Sequence, residues 1–153
     1  MQKTVEFIEK RIKWKASQHN LPNKNVLLFE NLTAEAKARY LTHFNENNSG
    51  KIILLFTDSK HNWTALGTKM IIGYDGTQFN SVKLSSIEDV DSKNWKELFS
   101  KAEAGESKIK KRNERELLVT DFDGKETAFI TKEGSNFFSL WNIVLMITRL
   151  NEN

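Results

Sequence analysis

The sequence predicts an α+β fold: an antiparallel β-sandwich or partial barrel, capped by a C-terminal helix and preceded by a helical N-terminal addition. Three observations predict it. Asp75-Gly76 and Asp123-Gly124 each stand between two β-type runs, and a tight hairpin requires the positive φ that glycine supplies. The stretch NENNSG at 45–50 separates helix-forming residues from short, apolar, β-branched runs. The chain closes on a segment whose apolar residues, at helical spacing, cover too broad a face for a helix lying open on a surface.

Thr4 to about His19 reads as the first helix, because Val5, Ile8 and Ile12 fall at i, i+3 and i+7, with Phe7 and Trp14 on a flanking stripe. Thr4 is its candidate N-cap. NLPNKN at 20–25, which holds the only proline, breaks it, and a short apolar piece, VLLF at 26–29, follows. A second helix is expected within 31–48, with Thr33 as N-cap and Leu32, Ala36, Tyr40 and Phe44 recurring every four residues, and NENNSG at 45–50 ends it. The 45–50 cluster divides the chain into an N-terminal helical extension, 1–50, packed on a β-rich domain, 51–153.

After that boundary, KIILLFTD (51–58) is the first strand and NWTALGTKMIIGYDG (62–76) a second, bent at Gly67. QFNSVKLSSIEDV (78–90) is a third, and a bulge is expected where Tyr74 and Phe79 fall out of register. Residues 91–107 carry Trp95, Leu98 and Phe99 at helical spacing, so a short helix or structured loop interrupts the strands there. RELLVTDFDGKETAFITK (115–132) repeats the strand, Asp-Gly, strand pattern. The final helix buries Phe137, Phe138, Leu140, Trp141, Val144, Leu145, Ile147 and Leu150, leaving a narrow polar stripe of Ser135, Ser139, Asn142 and Arg149. Ser135 or Asn136 is its expected cap.

From Lys51 to about Leu150 this order resembles a pleckstrin-homology-like (PH-like) domain of the bacterial, GRAM-related kind. The resemblance rests on ILLFTD, WTALGTKMIIGYDG, VKLSSIEDV, LLVTDFDGKETAFIT and GSNFFSLWNIVLMI. Thr57-Asp58 matches the family's first strand end, Thr68-Lys69-Met70 its Thr-basic-hydrophobic step, and Ile87 and Val90 its I-x-x-V segment. The resemblance implies a non-enzymatic domain that binds protein segments, serves as a scaffold or recognises phosphoinositides. For the last of these, basic residues across the first hairpin would be Lys60 and Lys69, and Ile71 stands where a further basic residue would fall. The first 50 residues lie outside the resemblance.

The residues themselves exclude several chemistries. The chain of 153 residues has no cysteine, so disulfides, thiolate metal sites and cysteine nucleophiles are absent. Gly67, Gly73 and Gly76 match neither a Walker A loop nor a dinucleotide fingerprint, and are read as a bend and a turn. His19, His43 and His61 fall in no metal-binding pattern, and DFDG at 121–124 is a turn rather than a calcium loop. No nucleophile elbow and no cofactor motif occur.

Charge offers two candidates. Lys108, Lys110, Lys111, Arg112 and Arg115 form the most basic stretch, read either as an anion-binding patch or as a lysine-blunted edge. The first helix carries Lys10, Arg11, Lys13 and Lys15 beside Phe7 and Trp14, a composition that suits an anionic membrane surface, although packing on the domain with a solvated back is the simpler reading. Net charge is only +3, too mild to imply nucleic acid by itself.

These readings lead to a non-catalytic binding or scaffolding domain in the cytoplasm, with no cofactor, recognising another protein. The alternative is anion binding, to nucleic acid or acidic phospholipid, through 108–115 with Lys60 and Lys69. An enzyme built from scattered residues is the least favoured. The expected chain has no transmembrane segment, since the longest apolar run is IVLMI at 143–147.

Overall fold

The structure is a computed structural model that describes residues 3–58, 61–93 and 114–152. The architecture is α+β as predicted: among the described residues there are a five-stranded and a three-stranded antiparallel sheet, a helix near each end, and no closed barrel. The expected helix or loop at 91–107 lies almost wholly outside the described residues.

Thr4 caps α1 (Val5–Gln18), its hydroxyl accepting a hydrogen bond from the Phe7 N–H at 3.1 Å. Ile8, Ile12 and Ala16 turn inward, while Phe7 and Trp14 remain 40% and 48% exposed. The break at 20–25 is tied down by Asn23. Its side-chain oxygen accepts from the Asn25 and Val26 N–H groups, and its amide donates to Asn136 Oδ1 at 2.8 Å. The apolar piece that follows forms β1 (Val26–Leu28), so the N-terminal segment also contributes an edge strand.

Thr33 caps α2 (Ala34–Leu41) through the Ala36 N–H. The helix ends at Leu41, ahead of the 45–50 cluster expected to end it. Asn45 turns its side chain back to the Asn47 N–H and starts a separate single turn, α3 (Glu46–Ser49), a local bond that competes with helix continuation.

The first sheet is a meander of β1, β2 (Ile52–Thr57), β3 (Trp63–Gly67), β4 (Met70–Tyr74) and β5 (Phe79–Lys83). The run read as one strand bent at Gly67 is therefore two strands. The chain reverses there because Thr68 and Lys69 are bonded back to Lys51 and Ser49. Tyr74 pairs directly with Phe79, so no bulge lies at the β4–β5 turn. Asp75 Oδ1 closes that turn by accepting from the Thr77 N–H, the Gln78 N–H and the Thr77 hydroxyl, and Gly76 takes φ +102°. The register shift instead falls in β2, between Ile52 and Leu54. There it sends two successive side chains, Ile53 and Leu54, into the main core, while Ile52 and Leu55 face the opposite side.

The third predicted run crosses between sheets. A 3₁₀ turn at Leu84–Ser86 separates β5 from β6 (Ile87–Ser92), which pairs with β7 (Glu116–Asp121), and β7 pairs with β8 (Glu126–Ile130). Asp121 Oδ1 closes the β7–β8 turn by accepting from the Asp123 and Lys125 N–H groups. The last helix, α4 (Ser135–Asn151), has Gly134 at its N-cap with no side-chain cap, so neither Ser135 nor Asn136 plays that part. Ser139 leaves the predicted polar stripe: it is buried, its hydroxyl satisfied by the Ser135 carbonyl at 2.8 Å.

One core joins these elements. Ile8 and Ile12 of α1, Phe56, Leu66, Ile71 and Val82 of the first sheet, Leu117, Val119 and Phe129 of the second, and Phe137, Leu140 and Ile143 of α4 belong to it. The other face of the first sheet is covered by α2 and its flanks, where Leu32, Tyr40, Leu41 and Phe44 pack on Phe29, Ile52, Leu55, Ala65 and Trp63. This double covering explains why IILLF is apolar throughout rather than alternating. Among the described residues no helix is long and apolar enough to cross a membrane.

Candidate functional site

The β3–β4 turn is tied to the segments on both sides of it. The Lys51 N–H donates to Thr68 Oγ1 at 3.1 Å and the Thr68 N–H to the Lys51 carbonyl at 3.0 Å. The Lys69 N–H donates to the Ser49 carbonyl at 3.0 Å, and the Lys69 carbonyl accepts from the Leu84 N–H at 2.9 Å. A Cβ on Gly67 would stand 2.6 Å from the Ser49 carbonyl oxygen, so this close approach needs glycine. Met70 and Lys83 are cross-strand partners. The backbone thus holds Lys69 and Lys83 on adjoining strands, with α3 on one side and the 3₁₀ turn on the other.

Between them opens a cleft of about 610 Å³. Lys3, Lys69 and Lys83 line it together with Asn47, Asn48, Thr68, Ser85 and Asn151, over apolar side chains of Ile8, Leu84 and Leu150. Among the described residues no carboxylate side chain lines it. All three lysines are exposed, and among the described residues none has an ion-pair partner. Lys51, close by, is engaged elsewhere by Glu9 at 3.0 Å. Three cations with amide and hydroxyl donors and no counter-charge make a positive field that a bound anion would relieve.

A second groove of about 420 Å³ adjoins the first and shares Asn48 and Lys83 with it. Its aromatic wall is Phe79, 48% exposed, stacked on His43 at 4.6 Å and packed against Tyr74 at 4.6 Å, with Trp63 behind.

Of the sequence candidates, Lys69 lies in the cleft. Lys60, Lys108, Lys110, Lys111 and Arg112 lie outside the described residues. Arg115 is ion-paired with Asp58, at the end of β2 where Thr57 faces Trp63. The β3–β4 turn is at the other end of β3, where Ile52 faces Gly67.

Lys3 and Lys83 were not singled out by sequence. Lys83 was findable: once Asp75-Gly76 sets the turn, counting back places it opposite Met70, next to Lys69. Lys3 carries no such signal, because its place depends on how α1 docks. Among the described residues, no group of three or more His, Asp or Glu side chains could hold a metal ion, and the three histidines do not converge on one another. Burial, aided by Lys15, holds the His19 imidazole below its ordinary pKa. Hydrogen bonds from the Gln78 and Thr77 N–H groups hold the Asp75 carboxyl low, consistent with its part in the turn. Compared with known proteins, the chain matches no family model and no curated sequence.

Proposed function

We propose that the chain is a non-catalytic, PH-like binding domain of the GRAM-related kind whose Lys3–Lys69–Lys83 cleft holds a phosphate-bearing anion. Within 51–153 the four strands β2 to β5 of the meander, the three-stranded sheet and the closing C-terminal helix, in that order, support the kinship. The observation that carries the ligand class is the cleft itself, where among the described residues three lysines stand without an ion pair and no carboxylate joins them. Titration with inorganic pyrophosphate tests it. Saturable binding is expected that weakens with added salt and falls roughly tenfold or more in K69E/K83E. No saturable binding at low ionic strength removes this reading.

A second reading, a protein partner, is favoured by the half-exposed Phe79 at the adjoining groove. A bound segment would set an apolar side chain against Phe79 and an acidic one near Lys83. Selection from a random peptide library is expected to enrich such pairs, with binding lost in F79S. A selection without enrichment removes it.

A further inference from the structure

We infer that the outer face of α1 is a docking surface for an anionic lipid bilayer, sharing Lys3 with the cleft at its edge. Helix α1 lies outside the PH-like part, and its inward face is fully used: Ile8, Ile12 and Ala16 are buried in the core. The opposite face is left with Phe7 and Trp14, 40% and 48% exposed, seven residues and thus about 10 Å apart along one stripe. Solvated helix backs do not ordinarily carry two large aromatics, whereas an interfacial helix needs them at the headgroup level.

The cations are arranged around these two rings. Lys3 Nζ lies 5.7 Å from the Phe7 ring, the Arg11 guanidinium 4.6 Å from Trp14 and Lys15 Nζ 5.9 Å from Trp14. Lys10 stands between Phe7 and Trp14 on the same stripe, exposed and without an ion-pair partner among the described residues. The structure also shows which basic residue is withdrawn: Lys13 bonds Glu9 and Glu30 at 2.8 Å each, on the flank. Glu6 is the one exposed carboxylate at the margin of the stripe. Charge complementarity selects the occupant. Aromatic rings ringed by Lys and Arg suit an acidic membrane surface, where rings sit among headgroups and cations meet lipid phosphates and carboxylates. Because the inner face is anchored, α1 would dock as it stands, its axis parallel to the bilayer.

Co-sedimentation with phosphatidylcholine vesicles, with and without a phosphatidylserine fraction, tests the inference. Binding is expected only to the acidic vesicles. It should fall roughly tenfold or more in F7S/W14S and severalfold in K10E, both of which alter only exposed residues and should melt like the parent. K69E/K83E should lose pyrophosphate binding yet keep the part of vesicle binding that α1 provides, so the two sites fail separately. Absence of binding to acidic vesicles, or binding unchanged in both α1 variants, overturns the inference.

Discussion

Gly73 shows how one missing side chain sets the spacing of the two sheets. Its φ is unexceptional, but a Cβ there would stand 2.8 Å from Cδ1 of Phe129, a fully buried ring. G73A is therefore expected to destabilise the fold by about 1–3 kcal/mol through overpacking, measured by chemical denaturation. Thr68 works by its hydroxyl. It is 7% exposed and supplies an acceptor for the Lys51 N–H. T68V keeps the shape and removes the acceptor, which should cost about 1–3 kcal/mol and raise amide exchange at Lys51. At this scale the sequence was partly legible. Asp75-Gly76 and Asp123-Gly124 announced their turns because an Asx cap and a positive φ are local chemistry. The reversal at Gly67 was not legible, since it depends on Ser49 and Lys51 meeting the chain from outside the hairpin.

At the scale of elements, α1 is held to its surroundings by ions as well as by its apolar face. Glu9 accepts from Lys13 and Lys51, and Lys13 also meets Glu30. The Lys13 hydrogen bond, with Lys51, holds the Glu9 carboxyl below its ordinary range against a burial effect of opposite sign, and Glu30 then Glu9 hold the Lys13 ammonium above its own. The sign follows. A depressed carboxylate stabilises the fold above its unfolded pKa and loses that contribution as pH falls through the folded value. A raised lysine stabilises below its unfolded pKa and loses it as pH rises through the folded value. The network thus acts across the neutral range. E9Q should lower stability there by less than about 1 kcal/mol, and the difference from the parent should vanish in acid, as read from denaturation midpoints across pH. Helix periodicity found α1 correctly, including its Thr4 cap, whereas the second helix ends at Leu41, ahead of the 45–50 cluster, and the single turn Glu46–Ser49 inside that cluster had no periodic signal to announce it.

At the scale of the molecule, α1 and β1 are parts of the same packed unit as the sheets. Ile12 is completely buried in the core that also holds Phe129 and Phe137. I12A should cost about 2–5 kcal/mol and shift a single unfolding transition, seen at the same midpoint by circular dichroism and tryptophan fluorescence. Separate midpoints would show instead that the N-terminal segment melts alone. The fold class was readable from strand punctuation and from the wide apolar face of α4, because both follow from short-range pattern. The cleft was not, apart from Lys69. It gathers Lys3, the β3–β4 turn, Lys83 and the end of α4, residues spread over nearly the whole chain, and no periodicity links them.

Lys3 and Asn151 both line that cleft. The cleft therefore joins the residue before the Thr4 cap to the last residue of α4. An anion seated between them would bridge the first and the last described segments, and it would favour the folded state because only folding brings the two together.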